Sequence, residues 1–312
     1  MTVWERRDVP FKFQLSDMTL FSVRIPLQVR SERLVADTPP THELRVPADA
    51  LLAGSQGYVV RGLPVEGEPR VLSKVGDFIC YVPQQYHHCY IDLSQTFEQY
   101  QKKFSSKTRS TISRKIKKFA DHCGGQVKWK LYREPGEMKE YFALARAVSK
   151  LTYQERLLDA GLPESDEFQR EAEQLAAAGR IRAWILFDGE RPVSYLYCPV
   201  ADGVLSYSYV GYDPAYMDKS VGLVLQWIAV EQLFSEGIFK YFDFTEGQSD
   251  HKRLFSTHQR RCANVFFIRD SLRSRAIVFA HRKVDSLSVW AGEMLERHGL
   301  KAKLKRLLRG AG

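Results

Sequence analysis

The sequence predicts an α/β chain in which a mostly antiparallel sheet is flanked by helices. Three observations carry this expectation. Apolar, β-branched runs of strand length alternate with longer stretches of helical period. Asp188-Gly189, the strongest hairpin signal in the chain, stands between two such runs. Thr96, Gly179 and Gly237 occupy positions where helix caps belong.

In chain order, Leu20–Val29, Gly57–Arg61 and Val75–Val82 read as short strands between loops marked by Pro39-Pro40, Pro64, Gly67 and Pro69. A helix follows, capped by Thr96 and running through Phe104, Ile112, Ile116 and Phe119, with Ser105-Ser106 as a point where it divides. Val127–Leu131 is a strand, and Pro135-Gly136 lead into a helix over Glu137–Lys150. Leu151–Pro163 is a short segment closed by Gly161 and Pro163, and Ser165–Ala178 is helical up to Gly179. The pattern then turns to three antiparallel strands, Ile181–Phe187, Pro192–Val200 and Val204–Tyr212, the last alternating through Leu205, Tyr207 and Tyr209. After Asp213-Pro214 and a loop, an apolar helix starts at Val221-Gly222 and stops at Gly237. Phe239–Phe244 is a strand, Lys252–Phe255 a short helix and Ala263–Ile268 a last strand. No short internal repeat is visible.

Composition excludes several classes. With 44% hydrophobic and 27% charged residues over 312 positions, the chain reads as globular and large enough for two domains. No apolar run approaches the ~20 residues that cross a bilayer, and the charged opening up to Pro10 is not that of a signal peptide. The expected location is the cytoplasm. Cys80, Cys89, Cys123, Cys198 and Cys262 are scattered without a C-x-x-C pair, so neither a disulfide framework nor structural zinc is expected. His87-His88-Cys89 falls on a strand, where neighbours point to opposite faces, and no metal site is expected there.

The net charge of +9 is local. Residues 271–312 carry ten Lys/Arg against three acids, and Lys102–Lys118 carries eight with none, leaving −6 elsewhere. Such basicity suits polyanionic partners: cofactor phosphates, a lipid surface or nucleic acid. The Lys102–Lys118 helix is either a solvated amphipathic face or one that presents cations to a phosphate-bearing substrate.

The strand–loop–helix over Tyr209–Val230 holds the main candidate site. A helix start offers unpaired N–H groups and the positive end of the helix dipole, which suit a pyrophosphate. Lys219, Ser220, Val221 and Gly222 lie at this start; Gly222 allows close approach and Lys219 adds charge. The competing reading is an ordinary crossover helix. No catalytic triad, Walker loop or post-strand G-x-G-x-x-G points to hydrolase, kinase or dinucleotide chemistry.

Tyr212-Asp213-Pro214-Ala215-Tyr216, Ser220-Val221-Gly222-Leu223, Phe242-Asp243-Phe244-Thr245-Glu246-Gly247 and Lys252-Arg253-Leu254-Phe255 follow one another in a recognisable order. With the basic segment Lys107–Lys115, they resemble the CelD-like branch of the GNAT superfamily of N-acetyltransferases, related to the FemABX group. The resemblance spans roughly Phe97–Ile268 and departs at Met217–Val221, where the family often has Pro or Arg-rich residues. It implies a mixed, mostly antiparallel GNAT-like sheet in two related halves, and acyl-CoA as a cosubstrate with no tightly bound cofactor. It also implies direct transfer: the strand entering the helix splays from its neighbour, a thioester lies in the gap, and a neutral amine attacks its carbonyl while a base takes the proton.

Asp243, Glu246 and His251, just beyond a buried strand, are candidates for that base; Asp243 is alternatively a structural acceptor for loop N–H groups. Tyr209 and Tyr212 are candidates for protonating the thiolate, or else packing residues. Tyr153, Gln154, Arg109 and Lys252 are candidate substrate contacts. The expected partners are acyl-CoA or acyl carrier protein, and an amine acceptor: an amino sugar of an envelope precursor or a long-chain lipid amine of ceramide type. The amphipathic segment 284–309 either touches the inner face of an anionic membrane or docks on the core. Nucleic acid is not the expected partner. The alternative is a FemABX-like transferase using aminoacyl-tRNA, or an RNA-binding protein. The expected division is 1–95, a GNAT-like half; 96–180, a helical connection; 181–270, the acyl-thioester-binding core; and 271–312, a basic amphipathic helix.

Overall fold

The computed structural model describes residues 4–15, 18–32, 34, 38–152, 161–247 and 249–297. Its strands are β1 (Glu5–Leu15), β2 (Met18–Ser31), β3 (Gly57–Pro64), β4 (Leu72–Val75), β5 (Phe78–Asp92), β6 (Lys128–Tyr132), β7 (Ile181–Asp188), β8 (Arg191–Ala201), β9 (Val204–Ser206), β10 (Tyr209–Tyr212), β11 (Tyr241–Asp243) and β12 (His258–Arg269). Its helices are α1 (Phe97–Lys102), α2 (Ser106–His122), α3 (Met138–Ser149), α4 (Asp166–Ala177), α5 (Val221–Glu236), α6 (Asp250–Phe255) and α7 (Leu272–Arg297). The chain forms two compact units, 1–88 with 260–312, and 89–259.

In the first unit β1 and β2 form a long antiparallel hairpin, β2 runs parallel to β3, and β3 is antiparallel to β12. Strand β1 is absent from the sequence reading for a physical reason. Its buried positions Val9, Phe11 and Phe13 alternate with Pro10 and Lys12, after a run of charges at Arg6, Arg7 and Asp8. Proline and exposed charge suit an edge strand, which β1 is, and they mask its period. Helix α7 packs on this strand: Val278 joins Val9, Phe11, Phe13 and Leu27 in one core cluster. His281 lies edge-on to Phe11 and Phe13, with Nδ1 2.8 Å from the Tyr81 hydroxyl.

In the second unit the end of β5 pairs antiparallel with β11, and β11 runs parallel to β9. Strands β9, β8, β7 and β6 follow as antiparallel neighbours. Alternation along β7 decides the two layers. Trp184 and Leu186 face a core shared with α1, α2 and α5 (Tyr100, Phe119, Val224), whereas Ala183 and Ile185 face one shared with α3 and α4 (Phe142, Ala172). At the edge of the first layer Arg182 and Glu236, both nearly buried, form a 2.8 Å ion pair.

The fold class is therefore as expected: a mixed, mostly antiparallel sheet flanked by helices. The compact units group the chain in their own way. Segments 96–180 and 181–259 fall in one unit, and the C-terminal helix joins the N-terminal segment, because sheet pairing groups them rather than chain order.

Candidate functional site

Residues Val204–Tyr212 do not form one strand. The Tyr207 amide donates to the Asp243 carbonyl at 2.8 Å, but the next amide, of Ser208, turns to the Tyr197 carbonyl on β8. Beyond that point β10 pairs with β8, from Tyr209 opposite Tyr197 to Tyr212 opposite Ser194. The chain after β11 leaves with β5 instead, the Phe244 amide bonding the Cys89 carbonyl at 3.1 Å. The sheet therefore forks at Tyr207–Ser208. The irregularity also flips the side chains that follow. Leu205 and Tyr207 pack in the layer of α5, while Tyr209 lies in the opposite layer, edge-on to Phe168 and Tyr197.

Helix α5 begins at the end of β10, after a 3₁₀ turn over Pro214–Lys219. Ser220 enters it in the left-handed region, at φ +57°, and its own side chain makes no capping bond to the helix start. The loop before it is braced from three directions. Asp213 accepts from the Ala215 amide at 3.0 Å and pairs with Arg191 at 2.6 Å; the Tyr216 hydroxyl donates to Asp188 at 2.7 Å; Lys118 donates to the Asp218 carbonyl at 2.9 Å. The basic helix α2 thus reaches the loop that leads to the helix start. Lys219 is paired with Asp218 at 2.7 Å, which offsets part of its charge. A Cβ on Gly222 would meet the Tyr212 ring at 3.4 Å, an ordinary contact, so the site brings Tyr212, Lys219, Ser220, Val221 and Gly222 together.

One turn further along α5 lies a group the sequence reading missed. Gln226 is 1% exposed. Its side-chain oxygen accepts from the Tyr207 hydroxyl at 3.3 Å and is also hydrogen-bonded to His251 Nε2. Its Nε2 has no partner among the described residues. A buried N–H without an acceptor is costly and rare. The available signal was composition: Gln226 is the one polar side chain within Leu223–Val230. Burial pushes the Tyr207 hydroxyl well up, so it stays protonated. Burial, then Lys115 and Lys252, holds His251 below the ordinary histidine range. His251 is then neutral at pH 7, and with Nε2–H facing Gln226 its Nδ1 carries the free lone pair.

The other candidates divide. Asp243 Oδ1 accepts from the Thr245 amide at 2.7 Å and fixes that residue at φ +59°, the structural role foreseen as its alternative. Lys252 Nζ donates to the Glu246 carbonyl at 2.7 Å, and burial lowers its pKa against the pull of Asp243, Cys89 and Glu246. The Glu246 side chain is exposed. Arg109 donates to the Phe104 carbonyl and is engaged at the junction of α1 and α2. Tyr153 and Gln154 lie outside the described residues. Among the described residues no three His, Cys, Asp or Glu side chains converge as a metal site, and no helix is long and apolar enough to cross a membrane.

The described residues thus bring together a fork between strands, a helix start at its mouth and a basic helix beside it. Residues 106–253 match the family model described as an acetyltransferase (GNAT) domain. This span holds the fork, the helix start and the Gln226–His251 pair, in just under half of the chain. At the level of class it implies an acyl donor and an amine acceptor. No protein of curated function matches the chain. Among solved structures, FemX is similar at 10% identity over 88% of this chain and 90% of its own, with a TM-score of 0.48. The C-terminal DUF2156 domain of an Agrobacterium fabrum protein is similar at 9% identity over 73% and 71%, also at 0.48. L-PGS from Bacillus licheniformis is similar at 14% identity over 72% and 71%, at 0.43.

Proposed function

We propose that this chain transfers an acyl group from acyl-CoA, or acyl carrier protein, to a primary amine on an amino sugar or a long-chain lipid. The observation that carries this is the fork at Tyr207–Ser208, with the start of α5 at its mouth and the unpartnered Gln226 amide beside it. The phosphate end of the donor lies against Lys219–Gly222, with Lys118 adding charge, and the acyl arm enters between β10 and the segment after β11. The neutral amine attacks the thioester carbonyl. Its proton passes to His251 Nδ1, directly or through water, and the C–S bond breaks to give the amide and the free thiol. Gln226 Nε2 donates to the oxygen that gains charge, and Tyr212, at the mouth, is the candidate for protonating the thiolate.

A second reading has its own support. Lys107, Arg114 and Lys117 are exposed along α2 and suit an RNA backbone, as an aminoacyl-tRNA donor would require. Release of free thiol from acetyl-CoA and palmitoyl-CoA, measured with and without glucosamine or sphinganine, separates the two. Amine-dependent thiol release supports the first reading. No release with any thioester, together with salt-sensitive tRNA binding, supports the second.

A further inference from the structure

Helix α7 has two apolar faces. One is docked: Ser274 and Val278 are buried, and His281 is held by Phe11, Phe13 and Tyr81. On the other, Leu272 is 85% exposed, Phe279 58%, Leu287 53% and Trp290 58%. At about 100° per residue, Leu272, Phe279 and Trp290 fall within about 20° of one line and Leu287 within about 60°, while His281 lies about 180° away. Docking on β1 therefore leaves a second apolar stripe fully outward, where a helix that only closes a core would carry polar residues. Phe21, also exposed, stacks on Phe13 at 4.3 Å, on the sheet face that carries His281.

Basic residues border this stripe. Lys283 lies within it, and Arg273, Arg275 and Arg282 flank it; the sequence of α7 also carries three acids, Asp285, Glu293 and Glu296, of which Asp285 falls toward the docked side. Arg275 is tied to Asp270 at 2.6 Å, which leaves Arg273, Arg282 and Lys283 as the outward charge. The sequence after α7 adds Lys301, Lys303, Lys305, Arg306 and Arg309 with no acid. Large apolar side chains, an indole among them, bordered by Lys and Arg are what a bilayer surface of anionic headgroups takes up.

We propose that the outward face of α7 is a docking surface for an anionic lipid bilayer, with Leu272, Phe279, Leu287 and Trp290 entering the headgroup region while the opposite face stays on β1. The surface lies in the first unit and stands independently of the acyl-transfer site.

The test is sedimentation of the full chain with phosphatidylcholine vesicles, and with vesicles containing about 30% phosphatidylglycerol, at low and high salt. The expected result is binding to the anionic vesicles that weakens with salt, and little binding to the neutral ones. Phe279→Ser with Trp290→Ser should weaken it by about tenfold or more, at an unchanged melting temperature, because both side chains are outside the core. Arg282→Gln with Lys283→Gln should weaken it and flatten its salt dependence. Binding that survives the apolar pair of substitutions, or absence of binding by the unaltered chain, would overturn the proposal. So would a lipid-free dimer that the same pair dissociates, since the face would then belong to a second copy.

Discussion

The Nε2 atom of His251 is hydrogen-bonded to the side-chain oxygen of Gln226, which also accepts from the buried Tyr207 hydroxyl at 3.3 Å. One amide oxygen thus holds two side chains from different elements, and the amide nitrogen is left buried with no partner among the described residues.

Gln226→Leu should separate chemistry from stability. It removes the orphaned N–H but strands both the Tyr207 hydroxyl and His251 Nε2–H, at a cost of about 1–3 kcal/mol each. Adding Tyr207→Phe removes one of these two stranded groups, so the double variant should recover part of the loss in a denaturant titration. Turnover should stay about 10²-fold down in both. Recovery of turnover with stability would assign Gln226 to packing alone.

His251 gives the site a pH dependence of defined sign. Its folded pKa lies below the unfolded value, so the unfolded chain binds the extra proton. The stability it contributes is fully present above about pH 6.5 and is lost as pH falls through that value toward the folded pKa. His281, also lowered by burial, acts in the same direction. His251→Gln should therefore flatten, without abolishing, the fall in melting temperature between pH 7.5 and 5.5. An unchanged slope would contradict the burial of His251.

Gly211 shows how closely β10 is packed on its neighbours. A Cβ there would stand 2.5 Å from the Tyr195 ring and 2.8 Å from Thr152 Cγ2. Gly211→Ala should cost about 1–3 kcal/mol, the range for overpacking a filled core. Gly222→Ala, which meets the Tyr212 ring only at contact distance, should leave the melting temperature within about 1–2 °C. Parallel melting curves check the contrast.

Breaking the buried ion pair has a different signature from replacing it. Glu236→Ala leaves the Arg182 guanidinium charged and nearly buried, and should destabilise by about 3–5 kcal/mol. Arg182→Met with Glu236→Leu removes both charges and should recover most of that. A single and a double variant of equal stability would mean that water reaches Arg182.

Local signals were legible where one residue type decides the backbone. Asp188-Gly189 turns β7 into β8, Thr96 forms a reciprocal capping box with Gln99, and Gly237 closes α5 in the left-handed region. The Ser105-Ser106 break is real, with Ser105 capping α2. What was not legible depends on pairing between distant strands. An unbroken alternation through Leu205, Tyr207 and Tyr209 hides the change of partner at Ser208, because the amide that turns away is set by β8 and β11 and not by its neighbours in sequence. Gln226 carried a signal, a lone polar residue in an apolar helix, but its partners come from residues 19 and 25 positions away. The contact of α2 with the loop before α5 is likewise tertiary, through Lys118, while the basic residue first singled out, Arg109, turned out to hold the α1–α2 junction.

The most direct test of the proposed acyl-thioester site is a calorimetric titration of the full chain with CoA and palmitoyl-CoA, repeated with Gly222→Glu. A carboxylate at the start of α5 occupies the ground a phosphate needs, and its Cβ would meet the Tyr212 ring at 3.4 Å, an ordinary contact. The expected result is saturable binding, at least about tenfold weaker in the variant, with unchanged melting of the unliganded protein. Absence of binding to either thiol compound, or equal binding by the variant, would contradict a donor site at Lys219–Gly222.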